Sequence, residues 1–170
     1  AEFLAPNAPF DCEYSPMGYQ WFDITGEEGD ARLAQLRHAA AIVDGFLDTE
    51  LARRGLTAAD LALNGFSQGT MISLFVGLRR AAACAGILGY SGRLEAPHLL
   101  DDEIKCRPRV MLIHGEQDDR LPVVLMDEAH AASTVKLAPP RSNALAMRPA
   151  MTLGSSPGME SSSISGRSVM

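Results

Sequence analysis

The stretch ALNGFSQGTMI, residues 62–72, constrains the fold most, because a serine stands there between two glycines and two apolar runs. The short apolar run at 61–66 is bounded by turn signals, which predicts a strand buried on both faces of a parallel sheet. Residues 68–83 follow with a helical pattern. A serine on a sharp strand-to-helix turn projects clear of its backbone, so Ser67 is a candidate nucleophile. The alternative is a structural serine in a loop between strand and helix.

The spacing of apolar residues elsewhere predicts an alternation of strands and helices. Recurrence at three and four residues predicts a helix over 30–54, with Gly55 suited to a left-handed stop. The remaining predicted elements are strands at 2–5, 85–90 and 109–114 and a helix at 122–132. Such an alternation is typical of an α/β fold, a mostly parallel sheet with helices on both faces. Functional groups are then expected at the carboxyl ends of the strands.

Length and charge restrict the classes of partner. A chain of 170 residues suits one domain. The formal net charge of −6 and the lack of a Lys/Arg cluster argue against nucleic acid and favour a small molecule. No apolar run approaches the roughly 20 residues that span a bilayer, so we expect no transmembrane segment and a cytoplasmic location. The three cysteines fit neither a zinc site nor a disulfide framework, and no cofactor or metal is expected.

The chain changes character near Lys136. Residues 1–135 hold 11 Lys/Arg and 20 Asp/Glu, whereas residues 136–170 hold 4 Lys/Arg and one acid, Glu160. Hydrophobic periodicity also disappears there. This predicts a folded core over 1–135 and an irregular or disordered tail over 136–170.

The residues around Ser67 fit the chemistry of a nucleophile. Gly65 and Gly69 stand two positions before and after it, where a tight turn is expected to leave no room for a Cβ. The helix that begins at Gln68 points its first amides toward a developing oxyanion. The backbone N–H of Gln68 is therefore a candidate oxyanion donor.

Five segments resemble the carboxylesterase/phospholipase family of the α/β-hydrolases, which includes the acyl-protein thioesterases. They appear in the family's order and spacing: APNAP (5–9), PMGYQWFDI (16–24), LALNGFSQGTMISL (61–74), GILGYSGRL (86–94) and VMLIHGEQDDRLP (110–122). The resemblance implies a partial α/β-hydrolase fold. It also implies a serine hydrolase of carboxylic esters or thioesters, with a small-molecule or lipid-like acyl ester as substrate.

The resemblance also assigns roles to single residues. It makes Ser67 the nucleophile and Asp118 the acid that orients a catalytic histidine, with Asp119 as the neighbouring alternative. His114 precedes Asp118 and is interpreted as a turn histidine packed beneath the site. Met17 and Trp21 are candidates for an apolar acyl pocket, together with Phe22, and simple core packing is the equal alternative.

The match fails at the catalytic base. The family places a Gly-His pair well after Asp118, but the one histidine there, His130, falls inside a predicted helix and too near Asp118 in sequence. The alternative function is therefore a truncated or catalytically dead hydrolase fragment with a binding role at most. A third candidate, a dienelactone-hydrolase-like enzyme, is disfavoured because its nucleophile is a cysteine.

The two ends of the chain support a fragment. The family's first strand and the HG loop that supplies a second oxyanion donor would both precede Ala1, and the exposed sheet edge would favour self-association, which leaves a homodimer open. In the tail, Pro149–Gly154 can be encoded by a set of codons that, read in a shifted frame, spells Gly-His-Asp-Ile-Gly, close to the family's histidine motif. We hypothesise a frameshift near residues 133–145.

Overall fold

The structure is a computed structural model that describes residues 1–12, 15–24 and 29–134. The tail predicted over 136–170 lies outside the described residues. The strands are β1 (Phe10–Asp11), β2 (Tyr19–Gln20), β3 (Ala62–Phe66), β4 (Gly86–Tyr90) and β5 (Val110–Ile113). The helices are α1 (Asp30–Arg54), α2 (Gln68–Gly77), α3 (Leu100–Glu103) and α4 (Val124–Thr134), with 3₁₀ turns at Ala58–Asp60 and Pro97–Leu99.

Three parallel strands in the order β3-β4-β5 form the main sheet. Phe66 pairs with Tyr90, and Tyr90 pairs with Ile113, so the three strands end side by side. This arrangement, with a helix after β3, confirms the predicted α/β class. A separate antiparallel pair of β1 and β2 precedes α1.

The predicted strand at residues 2–5 is wrong. Residues 1–8 contain no regular secondary structure, and Phe3 is 89% exposed. An apolar run becomes a strand only when a neighbouring strand pairs with its amides and carbonyls. Within the described ranges, no strand lies beside residues 2–5 to form such hydrogen bonds.

Helix α1 has the predicted bounds. It ends at Gly55 in the left-handed conformation, with φ 65°, because the amides of Gly55 and Leu56 turn back to bond the carbonyls of Ala52 and Leu51. Its apolar stripe packs into the core through residues that include Leu36, Ala39, Val43 and Leu47. The stripe therefore positions α1 against the rest of the core.

Helix α2 is shorter than predicted, because it stops at Gly77 rather than continuing to residue 83. The chain turns there, and the turn lets Arg80 form ion pairs with Asp44 and Asp48 of α1. Gly77 itself packs close to β4: a Cβ on it would lie 2.5 Å from Ile87 Cδ1. Neither the ion pairs of Arg80 nor the packing of Gly77 against Ile87 can be predicted from helical spacing alone.

The two faces of the main sheet differ. One face is buried beneath α2 and includes Leu63, Ile87 and Leu112. On the other face Phe66 is 72% and Met111 56% exposed. The prediction that the 61–66 strand is buried on both faces is therefore wrong for the described part of the chain, in which no helix covers these two side chains.

Among the described residues, no helix has the length and apolar character needed to cross a membrane.

Candidate active site

Ser67 occupies a strained turn between β3 and α2. Its backbone has φ 51° and ψ −116°, a conformation that non-glycine residues rarely adopt. The Ser67 N–H donates to Tyr90 O (2.8 Å), and the Ser67 carbonyl accepts from the Thr70 N–H (2.9 Å). These bonds hold a sharp reversal from strand into helix, as the sequence predicts for a nucleophile turn.

The glycines that flank Ser67 do not share one role. A Cβ on Gly65 would lie 2.3 Å from the carbonyl carbon and oxygen of Gly69, which are backbone atoms and cannot move aside. A Cβ on Gly69 would meet nothing within 4 Å. The expected steric requirement is therefore confirmed at Gly65 and wrong at Gly69. The close approach is between the Gly65 Cα and the Gly69 carbonyl, whereas the Gly69 Cα faces open space.

Thr70 locks the turn onto β4. Its side chain is fully buried, and its hydroxyl donates to Gly65 O (2.7 Å) and accepts from the Tyr90 N–H (2.9 Å). A Cβ on Gly89 or Gly92 would lie 2.5 Å or less from Thr70 side-chain atoms. Sequence reasoning missed Thr70, although the two glycines around Ser91 were a signal that a side chain packs tightly against that segment.

Gln68 lies at the nucleophile turn with both its backbone amide and its side chain. Its backbone N–H is the first amide of α2 and so lacks an intrahelical acceptor, which leaves it available to an oxyanion. Its side-chain oxygen accepts a hydrogen bond from the backbone N–H of Trp21, and its side-chain amide donates one to the backbone carbonyl of Phe22, both at 2.6 Å. We call these two hydrogen bonds the Gln68 clamp. The sequence did not reveal them, and they tie the 21–22 segment to the nucleophile turn.

The candidate pocket residues have different environments. Trp21 is half-buried against the core and adjacent to Gln68, while Phe22 is fully buried in the core, as the packing alternative requires. Met17 lies in the turn between β1 and β2 and is 88% exposed. The structure therefore brings the backbone of Trp21 to the nucleophile turn and leaves Met17 at the surface. Their role in an acyl pocket stays a prediction.

Asp118 lies in the loop after β5, where backbone amides hold its carboxylate. Its Oδ1 accepts from the N–H groups of Leu121 (3.0 Å) and Arg120 (3.1 Å). The Leu121 amide has the largest effect in lowering the pKa of the Asp118 carboxyl below its usual value. Desolvation opposes this, and the Arg120 amide, Ser91 and His114 contribute further lowering.

His114 is buried beneath this loop, as the sequence predicts. Its Nε2 lies 2.5 Å from Leu121 O and 3.5 Å from Asp118 Oδ2. A carbonyl oxygen can only accept, so Nε2 carries the proton in this contact. His114 thus supports the loop of residues 114–121 from below. We call this loop the acid loop, after the role predicted for Asp118.

The ends of three strands bring these groups to one edge of the sheet. Phe66, Tyr90 and Ile113 pair in register, so the residues that follow them leave the sheet side by side. Ser67 N–H to Tyr90 O and Ser91 N–H to Ile113 O continue this pairing one residue further. The predicted nucleophile turn and acid loop therefore share an edge, with residues 90–92 between them.

The remaining histidines lie on other elements. The His38 ring on α1 is 5.7 Å from the Phe10 ring, His98 lies in the 97–99 turn, and His130 falls within α4. Within the described ranges, no three His, Cys, Asp or Glu side chains are grouped so as to hold a metal ion.

A serine on a strained strand-to-helix turn of a parallel sheet, with an acid loop at the same edge, defines the class of α/β-hydrolases. The sequence model of the Phospholipase/Carboxylesterase family matches residues 1–144. The chain belongs to this family.

Curated relatives agree with this assignment. The chain is 30% identical over 121 residues to acyl-protein thioesterase 1 homolog 2 of Dictyostelium discoideum, with 67% of this chain and 53% of the relative covered. It is 31% identical over 127 residues to acyl-protein thioesterase 1 of Schizosaccharomyces pombe, with 71% and 56% covered. The chain thus spans about half the length of the curated relatives it matches.

Solved structures confirm the fold. The crystal structure of esterase PE8 superposes with a TM-score of 0.72 at 42% identity, covering 77% of this chain and 62% of that one. Arabidopsis thaliana SOBER1 superposes with a TM-score of 0.63 at 20% identity, covering 76% and 64%, a likeness of fold alone. Both comparisons support a partial α/β-hydrolase.

Proposed function

We propose that this chain carries the nucleophile and acid of a serine hydrolase that cleaves carboxylic esters or thioesters. The observation that carries the proposal is the positive φ of Ser67, 51°, on the turn into α2. Such strain costs on the order of 1–3 kcal/mol and persists only where the surroundings enforce it. Thr70 and Gly65 enforce it here, by a hydrogen bond and by close packing.

The proposed reaction has two halves, the acylation of Ser67 and the hydrolysis of the acyl-enzyme, and each group acts once in each half. Ser67 Oγ attacks the acyl carbon while a base takes its proton, and the Gln68 N–H stabilises the oxyanion that forms. The intermediate expels the alcohol or thiol, which leaves with that proton, and the acyl group remains on Ser67. Water then attacks the acyl-enzyme and releases the carboxylic acid. Asp118 orients the base and stabilises its protonated form.

The proposed substrate is a small-molecule or lipid-like acyl ester or thioester. Two relatives are named acyl-protein thioesterases, and esterase PE8 is named an esterase, which supports acyl transfer to water as the reaction class. Trp21, which the Gln68 side chain holds beside the turn, is proposed to contact the acyl group, with Met17 at the exposed rim. A cytoplasmic location and a homodimer stay predictions.

A second candidate function is a hydrolase fragment without activity. The observation that favours it is the position of His130, the one histidine after Asp118, within α4 rather than in a Gly-His pair after a strand. Loss of the base removes most of the rate, because the three catalytic groups act as a unit. Such a chain would at most bind ligands or partners.

One experiment separates the two candidates. The purified 170-residue chain is incubated with a p-nitrophenyl short-chain ester and, separately, with a fluorophosphonate probe, beside the variants Ser67→Ala and Ser73→Ala. For the proposed hydrolase we expect labelling and turnover that Ser67→Ala abolishes. Ser73→Ala, which changes another serine of the same region, should keep both. An unlabelled parent chain would contradict the hydrolase, and Ser67-dependent labelling with turnover would contradict the inactive fragment.

A further inference from the structure

We propose that the Gln68 side chain is a positioning residue that fixes Trp21 beside the nucleophile turn, where the indole forms a wall for the acyl group. This inference rests on the proposed function and deepens it, because only a hydrolase has an acyl group to place. The fold and the family resemblance gave a role to the Gln68 backbone N–H but none to its side chain.

The segment that carries Trp21 takes backbone hydrogen bonds from side chains. Residues 21–24 follow β2 and belong to no strand or helix. The Gln68 side chain bonds the Trp21 N–H and the carbonyl of the residue that follows, both at 2.6 Å. Gln35 Oε1, on α1, accepts from the Asp23 N–H at 2.9 Å. Buried backbone groups outside regular structure need such partners, and the two glutamines tie the segment to α2 and α1.

The Gln68 clamp links this segment directly to the nucleophile turn. Gln68 follows Ser67 in the chain and is the first residue of α2. Its side-chain amide accepts from Trp21 and donates to Phe22, so one group fixes both the distance and the direction of the segment. The same residue therefore presents the proposed oxyanion donor and places the half-buried Trp21.

Phe22 is held by the core as well as by the clamp. Its ring is fully buried, and the guanidinium carbon of Arg32 lies 5.6 Å from the ring centroid. Arg32 is itself buried and forms an ion pair with Glu95 at 3.0 Å. Since these contacts remain when the clamp is removed, we expect its loss to move the half-buried Trp21 and to leave the fold intact.

Fluorescence tests this role without requiring turnover. Trp21 is the single tryptophan of the chain, so the emission reports on this position alone. The full chain is compared with Gln68→Met, whose side chain has nearly the same length but no amide. We expect the emission to shift to longer wavelength and its quenching by acrylamide to increase, while the far-UV circular dichroism stays unchanged. Exchange of the Trp21 amide hydrogen should become faster by on the order of tenfold.

Gln35→Met is the matched control. It removes the bond to the Asp23 N–H, two residues further along the same segment, but keeps the clamp, so the emission and quenching of Trp21 should equal those of the parent. Parent-like emission and quenching in Gln68→Met would overturn the inference, and so would an equal change in both variants. If Gln68→Met does not fold, Gln68→Asn takes its place, because its amide is one methylene shorter and does not span the same distance.

A turnover assay tests the role of Trp21 as an acyl wall. Gln68→Met should raise the KM for p-nitrophenyl octanoate several-fold more than the KM for p-nitrophenyl acetate, because a wall contacts the longer acyl chain more extensively. An equal rise for both esters would overturn the inference. A parent chain that hydrolyses neither ester contradicts the proposed function alone, and the fluorescence then decides whether Gln68 positions Trp21.

Discussion

The nucleophile turn and the acid loop face each other across one edge of the sheet but are built in different ways. Around Ser67 the backbone is packed atom against atom, so that Gly65 has no room for one more carbon. Around Asp118 the loop is partly exposed and is held by hydrogen bonds from Arg120 and Leu121. The nucleophile turn therefore tolerates no added volume, whereas the acid loop depends on its donors.

This difference fits the roles proposed for Ser67 and Asp118. A nucleophile has to stand on a strained backbone, and strain persists only where rigid packing opposes relaxation. An acid has to stay ionised, and amide donors achieve this at a surface without burying the charge. Three changes of decreasing expected effect test the comparison.

Gly65→Ala should have the largest effect. Its Cβ would lie within 2.4 Å of three backbone atoms of Gly69 and Thr70, so the turn must open. We expect a loss of about 3 kcal/mol or more in the free energy of unfolding, measured by urea denaturation. Gly69→Ala is the control: its Cβ meets nothing within 4 Å, and alanine in a helix is about 1 kcal/mol better than glycine. Equal losses in both variants would contradict the steric account of the turn.

Thr70→Val should have an intermediate effect. It keeps the volume but leaves the Tyr90 N–H and Gly65 O without their buried partner. We expect a loss of about 1–3 kcal/mol in unfolding free energy, read from thermal and urea denaturation. Thr49→Val removes a similar bond, to Gly45 O at 2.8 Å, on the exposed side of α1 and should cost less than about 1 kcal/mol. A Thr70 variant as stable as the Thr49 variant would show that the hydroxyl does not hold the turn.

Asp118→Asn should have the smallest effect, visible as a change in pH dependence. The folded protein lowers the pKa of Asp118, so its ionised form adds stability above the unfolded pKa of about 3.9. This contribution disappears as the pH falls through the lower folded pKa. We expect the variant to lose less unfolding free energy than the parent between roughly pH 5 and pH 2, as measured by urea denaturation across that range.

Asp119→Asn provides the comparison for that measurement. It removes the same charge one residue away and keeps the bonds to Asp118 Oδ1. An asparagine oxygen still accepts from the two amides, so the difference between the two variants isolates the effect of the negative charge that these amides stabilise at Asp118. If both variants follow the same pH dependence, the amides do not stabilise the ionised form of Asp118.

Much of the fold is predictable from local patterns. The helix over 30–54 and its glycine stop follow from spacing and chirality, which depend only on the sequence nearby. The paired strands Phe10–Asp11 and Tyr19–Gln20 are too short for any period to show. The turn after Gly77 brings Arg80 to Asp44 and Asp48, on a helix some thirty residues earlier, and spacing does not record such contacts.

In the candidate site, too, local features are predictable from the sequence and contacts between distant segments are not. A serine with a glycine two positions before it and a following helix predicts the nucleophile turn, because the chemistry and the sterics are local. Thr70 and the Gln68 clamp were not predictable, since each acts on a residue brought near by the pairing of β3 with β4 or by the packing of the 21–22 segment.

By itself the sequence determined the class of fold, the turn at Ser67 and the membership of a hydrolase family. Spacing, glycine positions and motif order are properties of the chain before it folds. The folded arrangement was needed to show which glycine is sterically required, which side chains hold the turn and which donors surround Asp118. These depend on distances of a few ångströms between segments far apart in sequence, which strand pairing and packing create.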